Sequence, residues 1–362
     1  MEKCLGEKMN KSGRAFCEKS ILWNYNQNYE LLKNNRNNTL DEVIKFHQGI
    51  EKYYDKTSKK EIVPGVYVKD ESERLNTGSF KILGVSYSIY KLFEDKCKQK
   101  NFMGLYEYLV KKKMCFVTAS DGNFGIALSY FCKILKQKCI VYLPSNTPQY
   151  YINRIRKNNA KIFLCKGDYD VCVYNAIIYS RKNNVKLILD TKPFGLTVDD
   201  VSANVISGYT TLFLEDMDEY DYMFIPAGVG GLLSAAIQYN SHIGNKRCKV
   251  ISVEPIVYNC VQQSIHKGKI IKVKGGNTLI NGLKCCSPSE SAWTYIYKGV
   301  YGCLGVDDYE CMVAKSELET YGFSTGFTGA MGYCGYKAFV KLEIENLKDK
   351  RILIINTERV AI

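Results

Sequence analysis

The sequence predicts an α/β protein built from two parallel-sheet domains, and three observations lead to this fold class. The chain has 362 residues, more than a single hydrophobic core usually serves. Strand-like runs alternate with helix-length segments between residues 115 and 190, and a second series of the same kind starts at residue 222. This alternation is typical of βαβ units, in which each helix connects two parallel strands.

The first series predicts a small α/β domain at residues 90–195. Pro148 stands where the first turn of a helix tolerates a missing N–H group. The strands are expected at 115–118, 139–143, 161–165 and 185–190, and the helices at 125–135, 148–159 and 169–182.

The second series predicts another parallel sheet in a larger domain, formed by residues 1–89 and 196–362. Residues 24–40 are rich in Asn and Lys, a composition that resists packing, so we expect residues 1–40 to be partly irregular. A cleft between two domains is a preferred ligand site. The strands are expected at 222–227, 249–255 and 351–356, and the helices at 231–239 and 259–266.

The composition excludes several classes of protein. The formal net charge is +13, but Lys and Arg are spread along the chain without a basic tail, so no nucleic-acid partner is expected. No apolar run is long enough to cross a bilayer, and the charged start of the chain lacks the apolar core of a signal peptide. We therefore expect a cytoplasmic protein without a membrane partner.

The cysteines and histidines do not indicate a metal site. The chain has 15 Cys without a CxxC pair, which favours buried structural thiols. Its three histidines, His47, His242 and His266, stand apart from other candidate ligands. Acid–base chemistry would therefore fall to Lys, Asp or a cofactor.

A glycine-rich turn, AGVGG at 227–231, joins a predicted strand to a predicted helix. Glycines let backbone N–H groups approach an anion, and the helix N-terminus adds a partial positive charge, so a phosphate fits. A tight turn without a ligand explains the glycines equally well. The turn lacks the spacing of an ATP or NAD site.

Two further segments carry polar residues in unusual places. TASDGNFG at 118–125 follows a predicted strand, where ligands of parallel sheets bind, although Asp121 and Asn123 could also serve only as helix caps. Lys81 stands in the small and apolar stretch 78–84. A lysine packed among apolar neighbours has a lowered pKa and can form a Schiff base. A buried lysine with a phosphate cradle points to pyridoxal 5′-phosphate (PLP).

The order of several segments resembles the diaminopropionate ammonia-lyase family, from about residue 46 to the C-terminus. That family has the fold-type II, tryptophan synthase β-like architecture, with PLP in the cleft between the two domains. Asp121 before Gly-Asn favours this family over the dehydratases. The segments are KDESER at 69–74 with SFK at 79–81, TASDGNFG, LDTKPFG at 189–195, IPAGVGGLLSA at 225–235, SVEP at 252–255, NTLINGLKCCSPSESAW at 277–293, STGFTGAMG at 324–332 and IINTE at 354–358.

The resemblance implies a role for each candidate residue. Lys81 would bind PLP covalently, and Asn123 would contact its phenolic oxygen. Asp121 and Asp190 would be the acidic groups near the substrate, one of them accepting the α-proton on the face opposite Lys81 or binding the second ammonium. The phosphate cradle would be Gly228, Val229, Gly230 and Gly231, and the pyridine nitrogen would lie near Asn356 or Thr357.

The activity implied is the α,β-elimination of 2,3-diaminopropionate, a small amino acid, to pyruvate and two ammonia molecules, by a homodimer. Three departures from the family concern substrate choice: Phe124 replaces a His, Phe327 a Glu and Arg359 a Gly. Two alternatives remain open. The enzyme could act as a serine or threonine dehydratase or on a cysteine derivative, or the chain could be a catalytically inactive ligand-binding relative.

Overall fold

The computed structural model describes residues 16–18, 20–32, 38–50, 55–244 and 248–359. Its strands are β1 (Phe16–Glu18), β2 (Ile21–Tyr25), β3 (Lys59–Val63), β4 (Val66–Asp70), β5 (Cys115–Ala119), β6 (Lys138–Pro144), β7 (Lys161–Cys165), β8 (Lys186–Leu187), β9 (Tyr222–Pro226), β10 (Lys249–Pro255), β11 (Gly302–Val306) and β12 (Ile352–Asn356). Its helices are α1 (Asn38–Gln48), α2 (Lys81–Phe93), α3 (Phe102–Val110), α4 (Asn123–Ile134), α5 (Gln149–Lys157), α6 (Tyr169–Asn183), α7 (Val201–Tyr209), α8 (Thr211–Leu214), α9 (Gly231–Ile243), α10 (Cys260–Lys267), α11 (Glu290–Gly299), α12 (Asp308–Thr320) and α13 (Phe327–Lys341).

The chain divides into two compact units. Among the described residues, the first unit contains those up to residue 32, residues 57–72 and those from 216 onward, and the second contains those between 38 and 56 and residues 73–215. The predicted domain boundaries, 1–89 with 196–362 and 90–195, stay a prediction. None of the described helices is long and apolar enough to span a membrane.

The first unit contains an eight-stranded sheet in the order β1-β2-β11-β10-β9-β12-β4-β3. Its five central strands, from β11 to β4, run parallel, whereas β1, β2 and β3 pair antiparallel at the edges. The core is rich in aromatic residues: the rings of Trp23 and Phe339 are 5.2 Å apart and both side chains are fully buried. The predicted parallel sheet is confirmed, with antiparallel edges that the sequence did not indicate.

The expectation that residues 1–40 are partly irregular stays a prediction, because residues 1–15, 19 and 33–37 lie outside the described part of the chain, but the start of the Asn-rich segment at 24–40 is ordered. Strand β2 ends at Tyr25, and Asn26 is buried. The Asn26 side chain donates hydrogen bonds to the carbonyls of Tyr297 and Val300, at 2.9 and 2.8 Å. These bonds satisfy the amide inside the protein, so an Asn-rich composition does not prevent packing at this position.

The second unit contains a parallel four-stranded sheet in the order β7-β6-β5-β8. Strands β5, β6 and β7 and helices α4, α5 and α6 lie where the sequence predicts them. Strand β8 is shorter than predicted: the Ile188 N–H still donates to Val117, and the chain then leaves the sheet before Asp190. Asp190 is therefore outside the ladder of the sheet.

Helices α2 and α7 pack closely within the second unit. A Cβ atom added at Gly208 would lie 2.4 Å from the Leu83 carbonyl oxygen, and one added at Gly84 would lie 2.8 Å from the Val205 carbonyl oxygen. Only glycine permits such an approach of two backbones. This contact fixes the helix that begins with Lys81.

Candidate active site

Lys81 is the first residue of α2 and is surrounded by aromatic rings. Its Nζ lies 5.2 Å from the ring centre of Phe80, 5.9 Å from that of Phe124 and 5.7 Å from that of Tyr209. The lysine side chain is 24% exposed, so it remains accessible to a ligand. Burial raises the pKa of Tyr209 above its usual value. Phe124, which stands where the diaminopropionate ammonia-lyases commonly have a histidine, is thus one of the rings next to this amine.

Asp190 binds the Lys81 amine directly. Lys81 Nζ donates to Asp190 Oδ2 at 2.9 Å, and the Tyr169 hydroxyl donates to Asp190 Oδ1 at 2.7 Å. Both oxygens of a buried carboxylate are therefore occupied. The sequence did not single out Tyr169, because its position at the start of a predicted helix carries no mark of a polar partner.

The TASDGNFG segment connects β5 to α4. Ser120 Oγ accepts hydrogen bonds from the N–H groups of Gly122 and Gly125, at 2.9 and 2.8 Å. Ser120, which the sequence analysis did not single out, thus caps the start of α4. Asp121 and Asn123 are half-buried on either side of Gly122, and their roles at a ligand stay predictions.

The glycine-rich turn is packed too tightly for side chains. Gly230 has φ of 93°, and a Cβ atom there would lie 2.4 Å from Ile296 Cδ1. A Cβ atom at Gly228 would lie 2.9 Å from Cys285 Sγ. Packing therefore requires glycine at positions 228 and 230, and the missing side chains leave backbone N–H groups as the polar groups that these positions can offer to a phosphate.

Helix α9 begins directly after this turn, at Gly231. The first N–H groups of a helix have no acceptor inside it, and the helix dipole makes its N-terminus attractive to anions. The Val229 carbonyl is held by the N–H group of Ser289 at 2.9 Å, which ties the turn to the start of α11. The geometry of this segment fits a bound phosphate.

Asn356 and Thr357 follow the end of β12 and are buried. Asn356 Nδ2 donates to Asp70 Oδ1 at 2.8 Å and to the Ser324 carbonyl at 3.1 Å, whereas Asn356 Oδ1 has no hydrogen-bond partner among the described residues. Thr357 donates to the Thr328 carbonyl at 3.3 Å. Asn356 thus keeps one buried acceptor for a ligand.

The other two departures from the family pattern have different surroundings. Phe327 is the first residue of α13, and its ring centre lies 5.8 Å from Lys315 Nζ. Arg359 is not among the described residues with positive φ. The backbone at Arg359 therefore does not require a glycine.

Each compact unit contains residues that fit PLP: the second has an accessible lysine amine among aromatic rings, and the first has a glycine turn at a helix N-terminus and a buried unsatisfied acceptor. The cysteines whose side chains the structure describes form no disulfide with one another, and most are buried, as expected for structural thiols.

Comparisons with known proteins agree with this chemistry. The family model described as pyridoxal-phosphate dependent enzyme matches residues 53–358. A diaminopropionate ammonia-lyase of Escherichia coli (strain K12) is 25% identical over 321 residues, covering 82% of this chain and 80% of the relative. A serine racemase of Dictyostelium discoideum is 30% identical over 256 residues, covering 68% of this chain and 71% of the relative.

The structural comparison concerns the fold. The crystal structure of holo diaminopropionate ammonia lyase from Escherichia coli superposes with a TM-score of 0.83 at 24% identity, covering 96% of this chain and 95% of that chain. The predicted fold-type II fold, the resemblance to the diaminopropionate ammonia-lyases and the PLP cofactor are confirmed. The chain belongs to the family of pyridoxal-phosphate-dependent enzymes.

Proposed function

We propose that this protein is an ammonia-lyase that converts 2,3-diaminopropionate to pyruvate and two ammonia molecules. The observation that carries the proposal is the 2.9 Å pair between Lys81 Nζ and Asp190 Oδ2, in the same compact unit as Asp121. Two carboxylates suit a substrate with two ammonium groups. Curated diaminopropionate ammonia-lyases of Escherichia coli and Salmonella typhimurium, which match 82% and 88% of this chain, support this substrate.

The cofactor would be held by residues from several segments. Lys81 Nζ would bind it covalently, and Asn123 would hydrogen-bond its phenolic oxygen. Asn356 or Thr357 would lie at the pyridine nitrogen. The phosphate would accept hydrogen bonds from the backbone N–H groups of the cradle, which comprises Gly228, Val229, Gly230 and Gly231.

Proton transfer would be shared between Asp121 and Lys81, whereas Asp190 would bind the substrate. Bound PLP supplies an electron sink for the negative charge that proton removal leaves at the substrate α-carbon. The Asp121 carboxylate would accept the α-proton on one face, and Lys81 Nζ would serve the other. Asp190 would bind the second ammonium. Proton acceptors on both faces would allow either enantiomer to react.

The overall reaction balances with one water. Loss of the β-amine as ammonia and hydrolysis of the remaining imine convert 2,3-diaminopropionate and water to pyruvate and two ammonia molecules. The second amine would leave as ammonia from the ammonium form that the Asp190 carboxylate holds, so the protein's part is to orient this group and to accept the α-proton.

The proposal is tested by a pyruvate assay on the PLP-loaded protein with each enantiomer of 2,3-diaminopropionate, and with serine and threonine as competitors. Asp121→Asn should lower kcat/KM by at least about 100-fold, because general-base catalysis contributes about that much. The matched control is Asp199→Asn, since Asp199 is an exposed aspartate of the same unit. Turnover of serine alone would contradict the proposal.

Serine is the second candidate substrate. The Dictyostelium discoideum serine racemase, at 30% identity, favours it. The two functions predict different rates for Asp121→Asn. An enzyme that racemises or dehydrates serine without needing this carboxylate would keep its rate in the variant. Binding of PLP without turnover of any of these amino acids would favour the inactive ligand-binding relative.

The remaining expectations rest on the resemblance. We propose a cytoplasmic homodimer with a large domain formed by residues 1–89 and 196–362 and a small domain at 90–195. Light scattering of the purified protein measures the molar mass and so tests the dimer.

A further inference from the structure

The turn that precedes Lys81 has a backbone conformation that side chains disfavour. Leu75 has φ of 47°, Asn76 has φ of 57° and Gly78 has φ of 85°. Non-glycine residues in the left-handed region are under steric strain, and such strain persists only where surrounding contacts hold the backbone. Because Lys81 follows within a few residues, whatever holds this turn also positions the start of α2.

Arg154 of α5 holds this turn by two carbonyls. Its Nη2 donates to the Asn76 carbonyl at 2.7 Å and its Nη1 to the Thr77 carbonyl at 2.9 Å. The Nη1 group also donates to the Tyr150 hydroxyl at 3.0 Å. A guanidinium presents its donors in a rigid plane, so it fixes two neighbouring acceptors together, which an ammonium cannot do.

The same helix contacts the loop that carries Asp121 and Asn123. A Cβ atom at Gly122, whose φ is 150°, would lie 2.4 Å from Tyr151 Cδ1, so the Gly122 backbone packs directly against the Tyr151 ring. A Cβ atom at Gly125 would lie 3.0 Å from Ile155 Cδ1. Helix α5 therefore contacts this loop at both Gly122 and Gly125.

The contacting side chains of α5 occupy neighbouring positions on the helix. Tyr151, Arg154 and Ile155 are spaced three and four residues apart, which places them on one side of a helix. One rigid element thus contacts both loops. A shift of α5 would move the turn before Lys81 and the loop of Asp121 and Asn123 together.

We propose that α5 is a brace that fixes these two loops relative to each other, with Arg154 and Tyr151 as positioning residues. This inference rests on the proposed roles of Lys81, Asp121 and Asn123. The brace keeps the amine and the carboxylate at the spacing that proton transfer requires. Because a displacement of about 1 Å can cost about 100-fold in rate, loss of the brace lowers kcat more than it raises KM.

Hydrogen exchange measured by mass spectrometry tests the brace in the protein without PLP. We expect Arg154→Met to increase exchange in both 74–80 and 118–125, because α5 connects the two segments. Informative amides exist in each: Thr77 N–H bonds to the Arg74 carbonyl, and Gly125 N–H bonds to Ser120 Oγ. Tyr151→Leu should likewise increase exchange in 74–80. Because Tyr151 packs against Gly122 in the other loop, such an effect would be transmitted through α5.

The matched control is Arg156→Met, because Arg156 is an exposed arginine of the same helix. It should leave exchange in both segments unchanged. If Arg154→Met does not fold, Arg154→Lys is the milder variant, because it keeps the charge but loses the paired Nη1 and Nη2 donors of the guanidinium. It should still increase exchange in 74–80.

The kinetic test uses the PLP-loaded enzyme and 2,3-diaminopropionate. We expect Arg154→Lys to lower kcat by about 10-fold or more with KM changed less than about 3-fold, since displaced reacting groups mainly affect the chemical step. Unchanged exchange in 74–80, or a change confined to 74–80 with none in 118–125, overturns the brace. A wild-type enzyme that does not turn over 2,3-diaminopropionate overturns the proposed function instead, and the exchange experiment still decides the inference.

Discussion

At the scale of single residues, the Tyr169 hydroxyl is the clearest contact to test near Lys81. It donates to Asp190 Oδ1 at 2.7 Å, and a hydrogen bond to a charged group contributes about 1.5–3 kcal/mol. We expect Tyr169→Phe to lower kcat/KM for 2,3-diaminopropionate by about 10-fold, because the Asp190 carboxylate is then less well oriented. Tyr174→Phe, at an exposed tyrosine of the same helix, is the control. Equal rates for both variants would exclude this role.

His47 provides a second prediction, about pH and stability. Its ring is fully buried, with Nδ1 2.7 Å from Thr211 Oγ1 and Nε2 3.0 Å from the Leu83 carbonyl. Burial lowers the pKa of His47 to about 3. An unfolded histidine has a pKa of about 6.5. Between these two values the unfolded chain binds more protons, so the stability from neutral His47 is complete above about pH 6.5 and is lost as the pH falls.

By pH 5 this loss should reach about 2 kcal/mol of unfolding free energy. Urea unfolding of the wild type and of His47→Gln, at pH 8 and pH 5, isolates the effect, since all other groups titrate in both proteins. The wild type should lose more stability between the two pH values than the variant. The same pH dependence in both would show that His47 does not titrate as described.

The sequence could predict a residue where its immediate neighbours mark it. Lys81 stands out because an amine interrupts a small and apolar stretch, and the glycines at 227–231 stand out as a cluster. Tyr169, Ser120 and Arg154 could not be found in this way. Each gains its role from a partner placed by the fold, and no local spacing encodes such a distance.

At the scale of elements, the turn between β9 and α9 requires glycine at position 230, and this requirement can be tested. Gly230→Ala must accommodate a φ of 93° and a Cβ atom 2.4 Å from Ile296 Cδ1. We expect it to weaken PLP binding by about 10-fold or more, because a shift of about 1 Å in the turn moves the phosphate-binding N–H groups. The measurement is a spectroscopic titration with PLP.

Gly322→Ala is the control, because it introduces similar backbone strain at a glycine outside the phosphate cradle. Gly322 has φ of 90°, nearly that of Gly230, but a Cβ atom there would have no heavy atom within 4 Å. This variant should be strained to a similar degree and still bind PLP like the wild type. If both variants bind PLP normally, the turn does not need glycine at position 230.

Element prediction succeeded where the local pattern was strong. Strands β7 and β10 occupy the predicted residues, because KIFLC and KVISVEP are each rich in β-branched or apolar residues. Strand β11 was missed because its sequence, GCLGV, contains two glycines, and Gly302 is needed where the Trp23 ring packs against its backbone. Tertiary contact thus overrides the low strand propensity of glycine there.

At the scale of the whole molecule, each compact unit contains a sheet of its own, as the chain length and the two alternating series predict. The antiparallel edge strands could not be predicted. Strands β1 and β2 lie within residues 1–40, which were expected to be partly irregular. Strand β2 pairs with β11, which follows more than 250 residues later, and β1 pairs with β2. Such long-range pairing leaves no periodic signal near the strand itself.

The cofactor should stabilise the whole protein, because a ligand that binds only the folded state adds to the unfolding free energy. At a PLP concentration about 100 times its Kd, the gain is about 2.7 kcal/mol, which calorimetry detects as a higher and concentration-dependent Tm. Lys81→Ala should show a smaller rise at the same PLP concentration, because it lacks the amine that binds the cofactor covalently. Lys111→Ala, at an exposed lysine, should behave like the wild type. An equal rise in the Lys81 and Lys111 variants would mean that PLP stabilises the fold without its bond to Lys81.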